Sequence, residues 1–198
     1  MGLELKKCKA FIGAQSLIGK LHVDSEKLEF RGPEIRWSVQ IGKGTSAKVD
    51  GDTIKVTRGS KSATFTVGSK ADHWQNKILN PPTLATKLGL KKDQAFTIRG
   101  SFDNSFQKQL LAHGLVKGKT AKTCDICFIL LESASNLSRF DKLAQSVSTG
   151  THIWAVFPKG AKQITRSQVI AAGKLNGMGP GKGISFDAVH SAMRFTRK

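Results

Sequence analysis

The chain has 198 residues, 39% apolar and 23% charged, a composition ordinary for a folded globular protein and enough for one large or two small domains. Its longest apolar runs fall well short of the ~18 residues of a membrane-spanning helix, and Lys6 stands where a myristoylation signal starting at Gly2 needs Ser or Thr, so a cytoplasmic protein is expected. Lys and Arg number 32 against 14 Asp and Glu, a net charge of +18, which favours a polyanionic partner such as nucleic acid or an anionic membrane face, or else simply a well-solvated surface. The excess is uneven: residues 1–80 hold 14 basic and 8 acidic residues, and residues 81–198 hold 18 and 6. No aromatic-rich nucleic-acid motif accompanies the charge, no Lys/Arg cluster resembles a known module, and tyrosine is absent.

The first eighty residues read as short strands: Cys8–Ile12, Gly19–Val23, Lys27–Arg31, Glu34–Ile41, Ser46–Val49, Thr53–Thr57 and a last one through Ala63, Phe65 and Val67. In the fourth, Ile35, Trp37, Val39 and Ile41 alternate with Glu34, Arg36, Ser38 and Gln40, the period of a half-buried strand. Asp50-Gly51-Asp52 between two such runs signals a hairpin. After Ser69 the period becomes helical, with Ala71, Trp74 and Ile78 on one stripe and Ser69…Asp72 as an expected capping box. Seven strands followed by one helix with an inward Trp resembles the pleckstrin-homology (PH) superfold, GRAM-like domains included. Many of its members bind phosphoinositides or peptides, and others only assemble complexes. Lys6, Lys7, Lys9 and Lys20 on the first strands are a candidate anion site, weighed against an ordinary solvated face.

Asn80-Pro81-Pro82 marks the boundary, because paired prolines end the preceding helix and stiffen a linker. The expected domains are 1–80, a small α+β barrel with a C-terminal helix, and 81–198, an α/β Rossmann-like domain. The short linker implies that Leu79, Leu84 and Leu88 pack in a contact between the two.

Thr83–Leu88 predicts a short helix stopped by Gly89. Ala95–Arg99 predicts a strand, Asp103–Leu111 a helix, and Lys119–Thr123 a poor strand. Asp125–Leu131, Ser135–Ser148 and His152–Phe157 then read as strand, helix, strand. The first of these is apolar on both faces, Ile126, Phe128 and Leu130 on one and Cys127, Ile129 and Leu131 on the other, as in a parallel sheet covered on both sides. Thr165-Arg-Ser-Gln168 is a second capping box, for a helix bearing Val169, Ala172 and Leu175. Ile184–Ala188 and Ala192–Thr196 close the domain as an antiparallel pair. Gly177-Met-Gly-Pro-Gly-Lys-Gly183 fails as a dinucleotide fingerprint at Lys182 and as a P-loop at Gly183, and reads as a flexible connection in which Lys182 could touch an anion. Cys124-Asp-Ile-Cys127 has metal or redox spacing, but it enters a buried strand, where residues three apart face opposite ways. Packing is the expected role, and no metal site is expected.

An antiparallel pair ending a parallel sheet is the closing feature of class I methyltransferase-like folds. Lys87-Leu-Gly-Leu90, Glu132-Ser133, Trp154-Ala-Val-Phe-Pro-Lys-Gly160, Ala171-Ala-Gly173 and His190-Ser-Ala-Met-Arg-Phe195 together resemble an uncharacterised bacterial family with a Rossmann-like, methyltransferase-like domain. The likeness covers about residues 80–198, and the first half fits members with a small PH-like domain in front. The resemblance raises the question of S-adenosylmethionine. Enzymes of that fold have a Gly-rich loop after the first strand and an acid ending the second, which takes the ribose hydroxyls. Here the turn is Arg99-Gly-Ser-Phe-Asp103, and the second strand ends without an acid, so no cofactor is expected. Arg99, Ser101, Glu132, Ser133 and Lys159 stand at strand ends, where α/β sheets bind ligands, and with His190, which has Asp187 three residues before it, they are the candidate pocket. No catalytic residue is assigned. The expected function is non-catalytic binding of a nucleic acid, another polyanion or a protein. The alternative is a divergent methyltransferase or other small-ligand enzyme with a remodelled pocket.

Overall fold

The computed structural model of the protein describes residues 2–197 and divides after Pro82 into two compact units. The first is a seven-stranded antiparallel sheet of order β4-β3-β2-β1-β7-β6-β5, built from β1 (Leu3–Ile12), β2 (Gln15–Val23), β3 (Lys27–Arg31), β4 (Arg36–Gln40), β5 (Ser46–Asp50), β6 (Thr53–Arg58) and β7 (Lys61–Thr66). Period-2 alternation sends Leu21, Phe30, Trp37, Ile54 and Phe65 inward, all buried. Helix α1 (Ala71–Leu79) adds Trp74 and Ile78 to the same core. The hairpin expected at Asp50-Gly-Asp is present, with Gly51 at φ 55, a left-handed conformation that glycine takes without steric cost. The capping box at Ser69…Asp72 is absent. Residues Gly68–Lys70 form a 3₁₀ turn, and α1 starts after Lys70, which makes no side-chain cap bond. Ser69 is thus inside the turn and not at the helix entry.

The second unit contains α2 (Leu84–Leu88), β8 (Ala95–Arg99), α3 (Asn104–Ala112), β9 (Val116–Lys117), β10 (Ile126–Leu130), α4 (Leu137–Ser146), β11 (His152–Pro158), α5 (Arg166–Leu175), β12 (Met178–Ser185) and β13 (His190–Arg197). Its six-stranded sheet has the order β12-β13-β11-β10-β8-β9. β9, β8, β10 and β11 are parallel, and β13 pairs antiparallel with both β11 and β12. Helices cover both faces of this mixed sheet. All five residues of β10 are buried. Cys127, Ile129 and Leu131 pack with Phe140 and Ala144 of α4 and Val169 of α5. Ile126, Phe128 and Leu130 pack on the other side with Leu88, Phe106 and Leu110. Leu88 is buried and Leu84 half-buried against this cluster of their own unit. Leu79 is 37% exposed.

The other differences from the sequence reading have local causes. The strand beside β8 is Val116–Lys117, and part of the stretch expected to form it is a 3₁₀ turn, Ala121–Thr123. Gly177–Gly183 is no loose connection. From Met178 onward it is strand β12, paired to β13 with a register shift between Pro180 and Gly183. An edge strand tolerates Pro and Gly because one side of its ladder is free. Cys124 and Cys127 lie in one core layer, not on opposite faces, because β10 begins at Ile126 and Cys124 stands outside its alternation. Both thiols are buried, and burial pushes Cys127 up to about 12, which leaves little thiolate for redox or metal chemistry.

The capping box of α5 is complete. Thr165 Oγ accepts from the Gln168 amide at 3.3 Å, and Gln168 Oε1 accepts from the Thr165 amide at 2.8 Å. Thr165→Ala should lower stability by about 1 kcal/mol, seen as a reduced urea midpoint with an unchanged slope.

Candidate anion interface at the strand ends

The carboxyl ends of β8, β10 and β11 lie on one edge of the second sheet, and His190 joins them because it pairs with Pro158 at the start of antiparallel β13. The six candidate pocket residues nevertheless do not line one common cavity. Ser133 Oγ shares a hydrogen bond with Ser135 Oγ at 2.7 Å, and the Glu132 amide donates to Asn136 Oδ1 at 3.0 Å. Lys159 Nζ donates to Ser185 Oγ at 2.7 Å and to the carbonyls of Asp187 and Ala188, which ties the end of β11 to the β12–β13 turn. His190 Nδ1 is 2.9 Å from Asp187 Oδ2, and Asp187 Oδ1 accepts the amides of Val189 and His190. Burial pushes the Asp187 carboxyl up, but the bonds from His190 and these amides outweigh it and leave the pKa lowered. This is a carboxylate organising a turn. Lys159 lines one cavity and Arg99 two others, while Ser101, Glu132, Ser133 and His190 line none of these three.

Arg99 is the candidate with the most distinctive surroundings. It is in register with Ile129, on α4's side of the sheet. It is exposed and makes no hydrogen bond or ion pair among the described residues. On one side it lines a cavity of about 410 Å³ with Asp103, Asn104, Gln107, Lys117 and Lys119. On the other it lines an open groove with Lys122, Ser146, Ser148 and Arg197. Arg197 donates to the Ala144 carbonyl. The three lysines are exposed and meet no carboxylate among the described residues. Lys117-Gly-Lys-Thr-Ala-Lys122 was visible in the sequence as a basic run. Its weight was hidden by reading part of it as a strand, which would have split the charges between two faces.

The residues around β8 and β9 can be tested against S-adenosylmethionine. The turn glycine, Gly100, has φ 94, and a Cβ there would lie 3.1 Å from Leu130 Cβ. Close approach to β10 thus accounts for the glycine without a cofactor. Phe102 turns into the domain and stacks on Phe106 at 5.1 Å. Past the end of β9 stand Gly118 and Lys119. The one carboxylate lining the cavity, Asp103, accepts the Ser105 amide at 2.6 Å as the cap of α3, and that bond lowers its pKa. A ribose needs acceptors, and a sulfonium cation gains nothing from three neighbouring cations. Three cations against one capping carboxylate make the lining suited to an anion.

In the first unit the register sets Lys20 opposite Lys6 and Lys7, since its neighbours Gly19 and Leu21 pair with Cys8 and Leu5. Lys6 and Lys7 occupy a register shift between Leu5 and Cys8. Lys20 is paired with Glu4 at 2.8 Å, and Lys9 lies over the Phe11 ring at 5.1 Å from its centroid. In the second unit, Lys182 donates to the Lys87 carbonyl at 2.9 Å.

No protein-family model matches the chain, and no curated protein does. Among solved structures it is similar to PigF with SAH, at 10% identity over 59% of this chain and 61% of that one, with a TM-score of 0.40. It is also similar to magnesium protoporphyrin IX methyltransferase (ChlM) from Synechocystis PCC 6803 with bound SAM, at 14% identity, 58% and 74% coverage and a TM-score of 0.39. A third is a SAM dependent methyltransferase from Aquifex aeolicus, at 10% identity, 61% and 90% coverage and a TM-score of 0.41. The chain thus spans less than two thirds of the length of PigF, and all three similarities are distant.

Proposed function

We propose that the protein is a non-catalytic nucleic-acid-binding protein, in which a PH-like domain precedes a methyltransferase-like domain that does not use S-adenosylmethionine. The observation that carries this reading is the cavity beside β8 and β9. Where the cofactor fold needs a carboxylate, Lys117 and Lys119 stand with Arg99, and the adjoining groove adds Lys122 and Arg197. Contacts of this kind read the phosphate backbone and not the bases. The 18 basic and 6 acidic residues of 81–198 supply the surrounding field. The PH-like reading of the first domain rests on its strand order and on the inward Trp74. We propose a cytoplasmic location; none of the described helices is long and apolar enough to cross a membrane.

Fluorescence anisotropy with a labelled 20-nucleotide RNA strand tests the reading. Binding should be saturable near 50 mM salt and weaken steeply toward 200 mM, with log K falling linearly in log salt. Calorimetry with S-adenosylmethionine and S-adenosylhomocysteine should give no heat at millimolar ligand. Absence of RNA and DNA binding at 50 mM salt sinks the proposal. A saturable cofactor isotherm favours the enzyme reading instead.

A further inference from the structure

The cavity that Lys159 lines, of about 640 Å³, opens elsewhere in the same domain. That volume lies within the range of small-molecule pockets. One wall is the end of β11 and the loop that follows it into α5. The other is formed by Gly183–Ser185 of β12 and Ser191–Met193 of β13. Its lining includes Phe157, Ile164, Ala192 and Met193, each no more than 5% exposed, so the floor is apolar.

The polar lining is sparse and its members differ. Lys159 holds the β12–β13 turn through Ser185, Asp187 and Ala188, as described above. Thr165 caps α5. Arg166 and Ser191 are different. Neither side chain makes a hydrogen bond or ion pair among the described residues, and both line the cavity. Arg166 reaches toward the β12 wall, with Nη2 3.7 Å from the point a Cβ on Gly183 would occupy. Gly183 has no left-handed φ, and a Cβ there would meet its neighbours at ordinary contact distance. The backbone therefore does not demand glycine at 183. What glycine does there is leave the space in front of Arg166 open.

We infer that this cavity binds a small organic carboxylate with an apolar body. The body sits on the Phe157, Ile164 and Met193 floor, the Arg166 guanidinium takes the carboxylate as a two-pronged pair, and Ser191 donates a further hydrogen bond. The inference does not rest on the nucleic-acid reading, because Arg99, Lys117 and Lys119 lie outside this cavity.

The probe is 1-naphthoate, titrated into the full chain labelled with ¹⁵N. Amide shifts should concentrate at Ala161, Gly183, Ile184 and Ala192 and saturate with a Kd below about 1 mM, the scale open to a ligand of this size. Arg166→Ala should weaken binding by about 10- to 100-fold, the worth of a charged hydrogen-bonded pair, and Arg166→Lys by less. Gly183→Leu should fill the space and abolish binding. If that variant misfolds, the exposed Arg166 substitutions still decide. Equal affinity for uncharged 1-naphthalenemethanol, equal shifts from inorganic phosphate alone, unchanged affinity in Arg166→Ala, or no localised shifts at 10 mM probe would each overturn the inference.

Discussion

Replacing Arg99, Lys117 and Lys119 together by alanine should cost the protein most of its affinity for single-stranded RNA. Each phosphate neutralised on a single strand contributes about 0.7 to the slope of log K against log salt, so three lost contacts should flatten that slope by about 2. At 50 mM salt the same term amounts to between two and three orders of magnitude in affinity, on the order of a few hundred-fold. Glutamate at the three positions should leave no measurable binding. The fold should survive, because all three side chains are exposed and carry no partner among the described residues, and such surface changes usually stay within about 0.5 kcal/mol. The comparison variant replaces Lys6, Lys7 and Lys9 on β1 of the first domain; it should keep nearly all the affinity. The reverse result, with the first variant unaffected and the second impaired, would move the interface to the first domain and refute the assignment to β8 and β9.

Gly173→Ala in α5 should destabilise the second domain by about 1–3 kcal/mol, the usual cost of overpacking. Two effects oppose each other here. Alanine in a helix interior gains about 1 kcal/mol over glycine. Against this, a Cβ at 173 would lie 2.2 Å from Phe195 Cε1 and 2.5 Å from Cδ1, far inside contact distance. The ring has little room to yield, because Phe195 is 0% exposed and stands edge-on to Phe140 at 5.2 Å. Its strand is also held on both sides, by β11 and β12. The clash therefore outweighs the propensity. Thermal unfolding should show a Tm lower by several degrees, and Phe195→Leu in the same chain should recover part of the loss. A variant at least as stable as the parent would mean that α5 lifts off the sheet freely, contrary to its packing.

Only part of this was legible in the sequence. The strands of the first half, the stripe through Trp74 and the two faces of β10 follow from periodicity, which is local and which the core enforces. The Thr165–Gln168 box and the Gly89 stop were readable for the same reason, since both involve residues within one helical turn. Strand β12 was not legible. Gly179, Pro180, Gly181 and Gly183 carry no alternating apolar side chains, and the strand exists because β13 offers it a ladder. Strand β9 was displaced for a similar reason, since two residues are too few to show a period.

The candidate residues divide along the same line. That Arg99, Glu132 and Lys159 stand at strand ends came from the order of elements. What each one does there depended on contacts between distant parts of the chain. Lys159 meets the turn some 26 residues later through Ser185, and His190 is tied to Asp187. Arg99 is joined by Lys117 and Lys119 in one cavity and by Lys122 and Arg197 in the adjoining groove. By itself the sequence determined the periodic strands and helices and the surplus of positive charge, because these are sums and periods along the chain. Only the tertiary structure decided which cations face a turn and which face solvent together, because that is set by how the strands pair.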